Sequence, residues 1–547
     1  MEALTISSSV LSLNFPAASP GDTHISKPKS PNFRCFPEPI SSFRGRLTHR
    51  SKSKLFPSNA ISSPSPPSSV SAEPSPPEIE EEVAVGEEKF DWYAQWYPVM
   101  PLCDLDKRVP HAKKVLGIDV VVWWDRNENA WKVFDDMCPH RLAPLSEGRI
   151  DPSGRLQCVY HGWCFDGSGS CKLIPQAPPD GPPVHTNKRA CVAAYPTIVH
   201  HGMVWFWPNS DPRYKDIFEK EKPPFIPELD DPSFTTVMGS RDLPYGYDVL
   251  IENLMDPAHL PYAHYKLGPT QPFKEMRDRE GGRPLDFVVK NPGIGGFDVD
   301  MGFGCINFHA PCIISYHTAL PSGTDEERKT ALIFICIPVS PGNSRYIWAF
   351  PRNFDTWVDK ILPRWMAHMA TNVLLDSDLY LLHVEERKIK EKGPANWQKA
   401  CFLPIKSDAL VVGFRQWFNK YADSKVDWGS RCTDDLPPTP PREQLMDRYW
   451  SHVVNCSSCN RAYKTLNAIE TVLKVVAVGS IAVAAAAAQG MLSGAARTKL
   501  AVFATACYVA SKWLAYFVYN NFRYHDYNHS VPEKVMLLAR IWNVGAA

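Results

Sequence analysis

Between residues 90 and 207, short apolar runs alternate with turn-forming residues. VLGIDVVVWWD, AWKVFDDMC, LQCVYHGWCFD and GMVWFWPN are rich in β-branched and aromatic side chains, and RNENA, DPSG and DGSGS interrupt them. This pattern predicts a small antiparallel β domain. From residue 224 to 450 the periods mix. TALIFICIPVS and SRYIWAFPR read as strands, whereas ILPRWMAHMATNVLLDSDLYLLHVEERKIKEK has the length and charge pattern of a helix. A second, mixed α/β domain is expected there, and no internal repeat is visible.

Towards the C-terminus the pattern changes again. Residues 475–496 carry no charge over 22 positions, enough for a bilayer span, and a second apolar run follows, interrupted only by Lys512. Residues 472–522 therefore read as a two-helix membrane hairpin, with a buried helical pair as the alternative, and 523–547 as a tail. Residues 1–72 hold 18 serines and eight Lys or Arg against only Glu2, Asp22 and Glu38. That is transit-peptide composition, of plastid rather than mitochondrial type. Residues 73–89, acidic and proline-rich, read as a linker. Lys plus Arg and Asp plus Glu both number 59, so no global field draws the chain to nucleic acid. Fifteen cysteines are too sparse for a disulfide scaffold in a chain of 547 residues.

Four residues in the β domain form a ligand pattern. Cys138 and His140 are separated by one residue, Cys158 and His161 by two, and seventeen residues lie between the pairs. Two Cys and two His can bind zinc, but two thiolates on one iron and two imidazoles on the other is the ligand set of a Rieske [2Fe–2S] centre. YDVLIENLMDPAHLPYAHYKL supplies a second candidate centre. Pro257 and Pro261 break the helix around His259 and His264, and two imidazoles plus a carboxylate on one face of iron leave positions open for O2 and substrate. At residues 451–465, Cys456 and Cys459 form a C-x-x-C with no further pair nearby, so a reversible dithiol is the favoured reading over zinc, and two unreactive cysteines the alternative.

The flanking residues CPHR-x-APLSEG and YHGW-x-FD-x-SG-x-C-x-x-IPQ resemble the Rieske domain of Rieske-type non-haem iron oxygenases across residues 92–206. D-x2-H-x4-H at Asp256, His259 and His264 resembles the mononuclear-iron motif of the same enzymes. NVLLDSDLYLLHVEERK resembles the helix that carries the third ligand, with Asp378 in the matching register and Asp376 as the alternative. The order of transit peptide, Rieske domain, iron domain, C-x-x-C and apolar hairpin resembles the plant pheophorbide a oxygenase group. That resemblance implies an α+β fold, in which a small antiparallel β Rieske domain (90–207) joins a mixed α/β helix-grip, StAR-related-like iron domain (224–450). It implies a [2Fe–2S] cluster on Cys138, His140, Cys158 and His161, and mononuclear Fe(II) on His259, His264 and Asp378. Asp256 is implied to bridge the cluster histidine of one subunit to the iron histidine of the next, within a homotrimer.

The implied activity is ferredoxin-dependent monooxygenation of a chlorophyll-type tetrapyrrole (protochlorophyllide, chlorophyllide or pheophorbide) with O2. The implied location is the inner envelope or thylakoid membrane of the chloroplast, with the catalytic domains facing the stroma. The alternative is a redox-sensing subunit of an envelope protein-import translocon, and thioredoxin is the partner the C-x-x-C suggests.

Overall fold

The computed structural model describes residues 88–265, 267, 282–301, 304–320, 328–487 and 490–530. The transit peptide read at 1–72, nearly all of the linker and the last part of the tail lie outside the described residues.

The β domain consists of three small antiparallel sheets. The first orders β1 (Tyr97–Pro101), β11 (Met203–Phe206) and β10 (Thr197–His200). In the second, β2 (His111–Val115), β3 (Ile118–Asp125), β4 (Ala130–Asp135) and β9 (Ala194–Tyr195) lie side by side. The third is formed by β5 (Arg149–Ile150), β6 (Leu156–Gln157), β7 (Cys164–Phe165) and β8 (Cys171–Leu173). The run VVVWW in β3 lacks polar alternation because both faces of the strand are covered. Val120 and Val122 enter the main core, while Val121 and Trp123 face a smaller one with Cys138, Leu145, Leu156, Cys158 and Phe165. The β2–β3 turn, with Leu116 and Gly117 both at positive φ, donates two backbone hydrogen bonds to Pro338 and Val339 of the next domain, at 2.8 and 2.9 Å.

That domain is a seven-stranded antiparallel sheet. Its strands are β12 (Thr235–Leu243), β13 (Val289–Gly293), β14 (Gly296–Asp300), β15 (Gly304–His309), β16 (Ile313–Leu320), β17 (Arg328–Ser340) and β18 (Asn343–Arg352), ordered β12-β18-β17-β16-β15-β14-β13. Helices α1 (Tyr247–Leu254), α2 (Arg364–Lys392) and α3 (Ala409–Ala422) share its core. The sequence places a helix over 361–392, and α2 starts three residues later, behind Pro363. Leu375, Leu379 and Leu382 lie on one stripe of α2 and are buried with Ile333 and Ile335 of β17. Each such side chain contributes ~1.5–3 kcal/mol by leaving water.

Helix α2 also buries an unusual number of polar side chains: His368, Asn372, Asp376, Ser377, Asp378, His383 and Glu386. Glu386 lies against Gly246 and the like-charged Asp248; burial and that neighbour push its carboxyl up to about 8 from an ordinary 4.5. The folded protein therefore holds a proton there that the unfolded chain has released, and stability falls as pH rises from about 4.5 to 8. Glu386→Gln removes that loss. The variant is expected to melt with the parent at pH 5 and to be more stable by ~1–3 kcal/mol at pH 8.5. Parallel melting curves at both pH values would show that Glu386 is already ionised in the fold.

The C-terminal helices α4 (Ser457–Ala486) and α5 (Gly494–Phe522) pack as a hairpin. The C-x-x-C segment, which the sequence sets apart at 451–465, is continuous with the first of them: Cys456 is the N-cap of α4, and its sulfur accepts from the Cys459 N–H. Both helices are long and apolar enough to cross a membrane. Val472, Val475, Val478 and Ile481 on α4, and Val502, Val509 and Trp513 on α5, are exposed.

Two candidate iron centres

Cys138 and Cys158 open two loops built on one plan. In each, the cysteine carbonyl accepts from the N–H four residues on, Leu142 at 2.8 Å and Gly162 at 3.0 Å. Each cysteine N–H donates to the carbonyl five residues on, Ala143 and Trp163, both at 2.9 Å. The fourth residue takes positive φ in both loops, 62° at Leu142 and 75° at Gly162. The unequal x1 and x2 spacings thus sit inside matching turns. Both sulfurs are buried in the smaller core, while the imidazoles stand at the rim, His140 exposed and His161 half-buried. The two rings meet edge to face with centroids 4.5 Å apart, and His140 stacks on Trp163 at 4.6 Å.

Burial pushes the Cys138 thiol up to about 12, against backbone N–H groups of His140 and Arg141 directed at its sulfur. A metal is what makes a thiolate stable in such a place. Two inner sulfurs and two outer imidazoles fit the ligand set of a Rieske [2Fe–2S] cluster.

The second group forms where α1 ends. Asp256 caps a single helical turn, Pro257–His259, by accepting from the Ala258 N–H at 2.8 Å, and a short turn, Leu260–Ala263, then delivers His264. One ligand atom each from His259, His264 and Asp378 lies within 4.8 Å of the others. The Nε2 atoms of His259 and His264 stand 4.0 and 3.5 Å from Asp378 Oδ2. The opposite nitrogens are committed elsewhere. His259 Nδ1 hydrogen-bonds the Asp256 carbonyl, and His264 Nδ1 lies 2.7 Å from Ser377 Oγ. Because the Ser377 hydroxyl donates to the Leu374 carbonyl at 2.6 Å, Ser377 accepts the proton of His264 Nδ1 and leaves its Nε2 lone pair free. Burial pushes the Asp378 carboxyl up to about 8 and the His264 imidazole down to about 3. Two neutral imidazoles and one carboxylate converging on one point form the facial donor set of non-haem iron.

Asp376, the alternative third ligand, is turned away from this group. Arg241 Nη1 meets its Oδ1 at 2.7 Å and Arg448 Nε its Oδ2 at 2.7 Å, with His525 Nδ1 at 3.1 Å. Although burial opposes ionisation, the two guanidiniums hold this carboxyl well below the usual carboxylate range. Sequence reasoning missed Asn253 and Ser377. Asn253 Nδ2 lies 3.5 Å from His259 Nε2 and also hydrogen-bonds Asp378, opposing the rise of its pKa. Its signal in the sequence is weak, a lone amide before the Asp256 motif; Ser377, between two aspartates, has none. Cys456 and Cys459 are both buried, and one ligand atom from each lies within 4.8 Å of His368 and His452.

Comparisons with known proteins agree with the two cofactors. A model of the Rieske [2Fe-2S] domain matches residues 95–196, and one of pheophorbide a oxygenase matches residues 308–396. The chain is 57% identical to protochlorophyllide-dependent translocon component 52 of Arabidopsis thaliana, over 92% of this chain and 96% of that protein. It is 54% identical to flavonoid 8-hydroxylase 2 of Ocimum basilicum, over 84% and 90% of the two chains. With pheophorbide a oxygenase of Oryza sativa subsp. japonica it shares 37% identity, over 84% and 89%. Two buried sulfurs beside two imidazoles, two histidines converging with a carboxylate, and near-full-length similarity converge: the chain belongs to the pheophorbide a oxygenase family of Rieske non-haem iron oxygenases.

Proposed function

We propose that this chain is a ferredoxin-dependent monooxygenase that places one oxygen atom of O2 on a chlorophyll-type tetrapyrrole. The observation that carries the reading is the convergence of His259, His264 and Asp378, which an electron carrier or a pure sensor does not need. Cys138, His140, Cys158 and His161 would hold the [2Fe–2S] cluster, and His259, His264 and Asp378 the mononuclear iron. When bound, these groups supply single electrons and O2 activation. The chain's own part is to position them. Trp163 and the matched turns orient His140 and His161, and Ser377 and the Asp256 carbonyl present the Nε2 atoms. Residues 472–522 would anchor the protein in the inner envelope or thylakoid membrane, with the catalytic domains in the stroma.

Asp256 would connect the two centres across subunits. One carboxylate oxygen caps the turn, and the carboxylate lies 3.8 Å from His259 Nδ1 while remaining partly exposed. By the family resemblance, the partner it faces would be His161 of the partner subunit, in a ring. Asn also caps helices well, so Asp256→Asn is expected to fold and keep both metals. Turnover should drop by at least the ~10–100-fold typical of outer-shell changes, with slowed oxidation of the reduced cluster in stopped-flow traces. Unchanged cluster oxidation would remove Asp256 from the electron path.

The reading is tested by isotope incorporation. Full-length protein with both metals receives reduced ferredoxin, 18O2 and a panel of protochlorophyllide, chlorophyllide, pheophorbide and flavones. One labelled oxygen in a tetrapyrrole supports the proposal. Label in a flavone instead transfers the activity to the class named in the Ocimum relative. No O2 uptake with any of them favours a redox role in protein import, as the name of the Arabidopsis relative suggests.

A further inference from the structure

The C-x-x-C is not alone. His368 comes from α2, and His452 from the segment just before α4. Cys456 Sγ lies 3.4 Å from His368 Nδ1, Cys459 Sγ 3.5 Å from the same nitrogen, and His452 Nε2 3.2 Å from Cys459 Sγ. All four ligand atoms fall within 4.8 Å of one another. We infer that Cys456, Cys459, His368 and His452 form a tetrahedral zinc site that clamps the C-terminal hairpin to the iron domain.

Three features carry the inference. The first is spacing. Zinc–sulfur bonds of ~2.3 Å and zinc–nitrogen bonds of ~2.0–2.1 Å place tetrahedral S and N ligands roughly 3.5 Å apart. The observed S···N separations of 3.2 to 3.5 Å match that edge.

The second is the outer shell. His368 Nε2 donates to the Met238 carbonyl at 3.2 Å and His452 Nδ1 to the Ser240 carbonyl at 2.7 Å. Met238 and Ser240 are two apart on β12, so their carbonyls point the same way and hold both imidazoles with the remaining lone pair turned to the cysteines. Between them, a Cβ on Gly239 would come within 2.4 Å of Trp348 and 2.8 Å of His368 Nε2; only glycine lets the strand approach so closely.

The third is burial with charge balance. His368 and His452 are 0% exposed, Cys456 1% and Cys459 2%. A dithiol that exchanges with a protein partner needs access, and this one has none. Zn(II) displaces one proton from each thiol and binds the imidazoles neutral. Its two positive charges then meet two thiolates, and the buried set is electroneutral. Soft sulfur with imidazole in a tetrahedron selects zinc over harder cations.

The test begins with full-length protein purified with its iron, by metal analysis. About one zinc per chain is expected beside the iron, with a zinc-edge X-ray absorption spectrum of two sulfur and two nitrogen neighbours. Cys459→Ser and His368→Gln should each lose the zinc and keep the visible absorption of the two-iron cluster. If those variants do not fold, the stoichiometry and edge spectrum of the parent still decide. Alkylation gives the opposing readout. Zinc protects both thiols until a strong chelator is added. A chain without zinc whose Cys456 and Cys459 alkylate at once, or are joined as a disulfide, overturns the assignment in favour of a redox dithiol. Iron in place of zinc at these four ligands overturns it as well.

Discussion

Replacing Asp378 with alanine is expected to empty the mononuclear iron site and leave the Rieske cluster in place. Among the described residues, Asp378 is the carboxylate that faces the Nε2 atoms of both His259 and His264, with Oδ2 at 4.0 and 3.5 Å from them. Its removal leaves two neutral imidazoles, a site without charge compensation for Fe(II). Iron affinity should fall by more than the ~10–100-fold that loss of an outer-shell partner costs. Turnover should then fall to background. Iron against labile sulfide is the direct measurement: about three irons to two sulfides in the parent, about two to two in the variant. The variant should still fold, because alanine at 378 removes a carboxyl whose burial already pushes it up to about 8 and leaves no unpaired cation behind. Loss of the cluster's visible spectrum as well would show that the two centres are not separate sites.

Asp376, two residues earlier on the same helix, should behave in the opposite way. Its side chain is fully buried between Arg241 and Arg448, both fully buried too, with His525 beside them. Removing one member of such a group strands the others. Asp376→Ala leaves two guanidiniums in the core and is expected to destabilise the protein by ~3–5 kcal/mol, as breaking buried ion pairs does. Arg448 also donates to the carbonyls of Asn520 and Asn521 at the end of α5, so the loss should loosen the junction between hairpin and iron domain. Asp376→Asn keeps shape and hydrogen-bonding capacity and should cost less. The fraction that folds should retain its iron. A folded Asp376→Asn protein of parental stability that lacks mononuclear iron would instead make Asp376 the ligand. One helix thus carries two aspartates of opposite purpose, and only their surroundings separate them.

How much of this could be read beforehand follows from where each signal lies. The two Cys–His pairs were legible because both occupy compact motifs, C-x-H and C-x2-H, at the tips of strongly patterned strands. His259 and His264 were legible for the same reason, since Pro257 and Pro261 announce a broken helix around them. The preference for Asp378 over Asp376 rested on resemblance alone, because positions two apart on a helix point about 200° apart and composition says nothing about which direction holds the histidines. Asn253 and Ser377 act only through what they touch. The zinc ligands fell between these cases. Cys456 and Cys459 stand out in the sequence, but His368 lies 88 residues before Cys456 inside an ordinary helical stretch, and nothing local ties them.

The sequence alone determined the β domain, the helix at the centre of the iron domain, the apolar hairpin, the two Cys–His pairs and the His259–His264 pair. Each is a short-range property: strand and helix periods, turn residues, and ligands a few positions apart. Only the tertiary structure decided which aspartate meets the histidines, where α4 begins, and that two distant histidines close on the C-x-x-C. Those outcomes depend on the directions in which packed elements aim their side chains. The apolar stripe of α2 against β17 sets the rotation of that helix, and this rotation presents His368, Asp376 and Asp378 to three different neighbours.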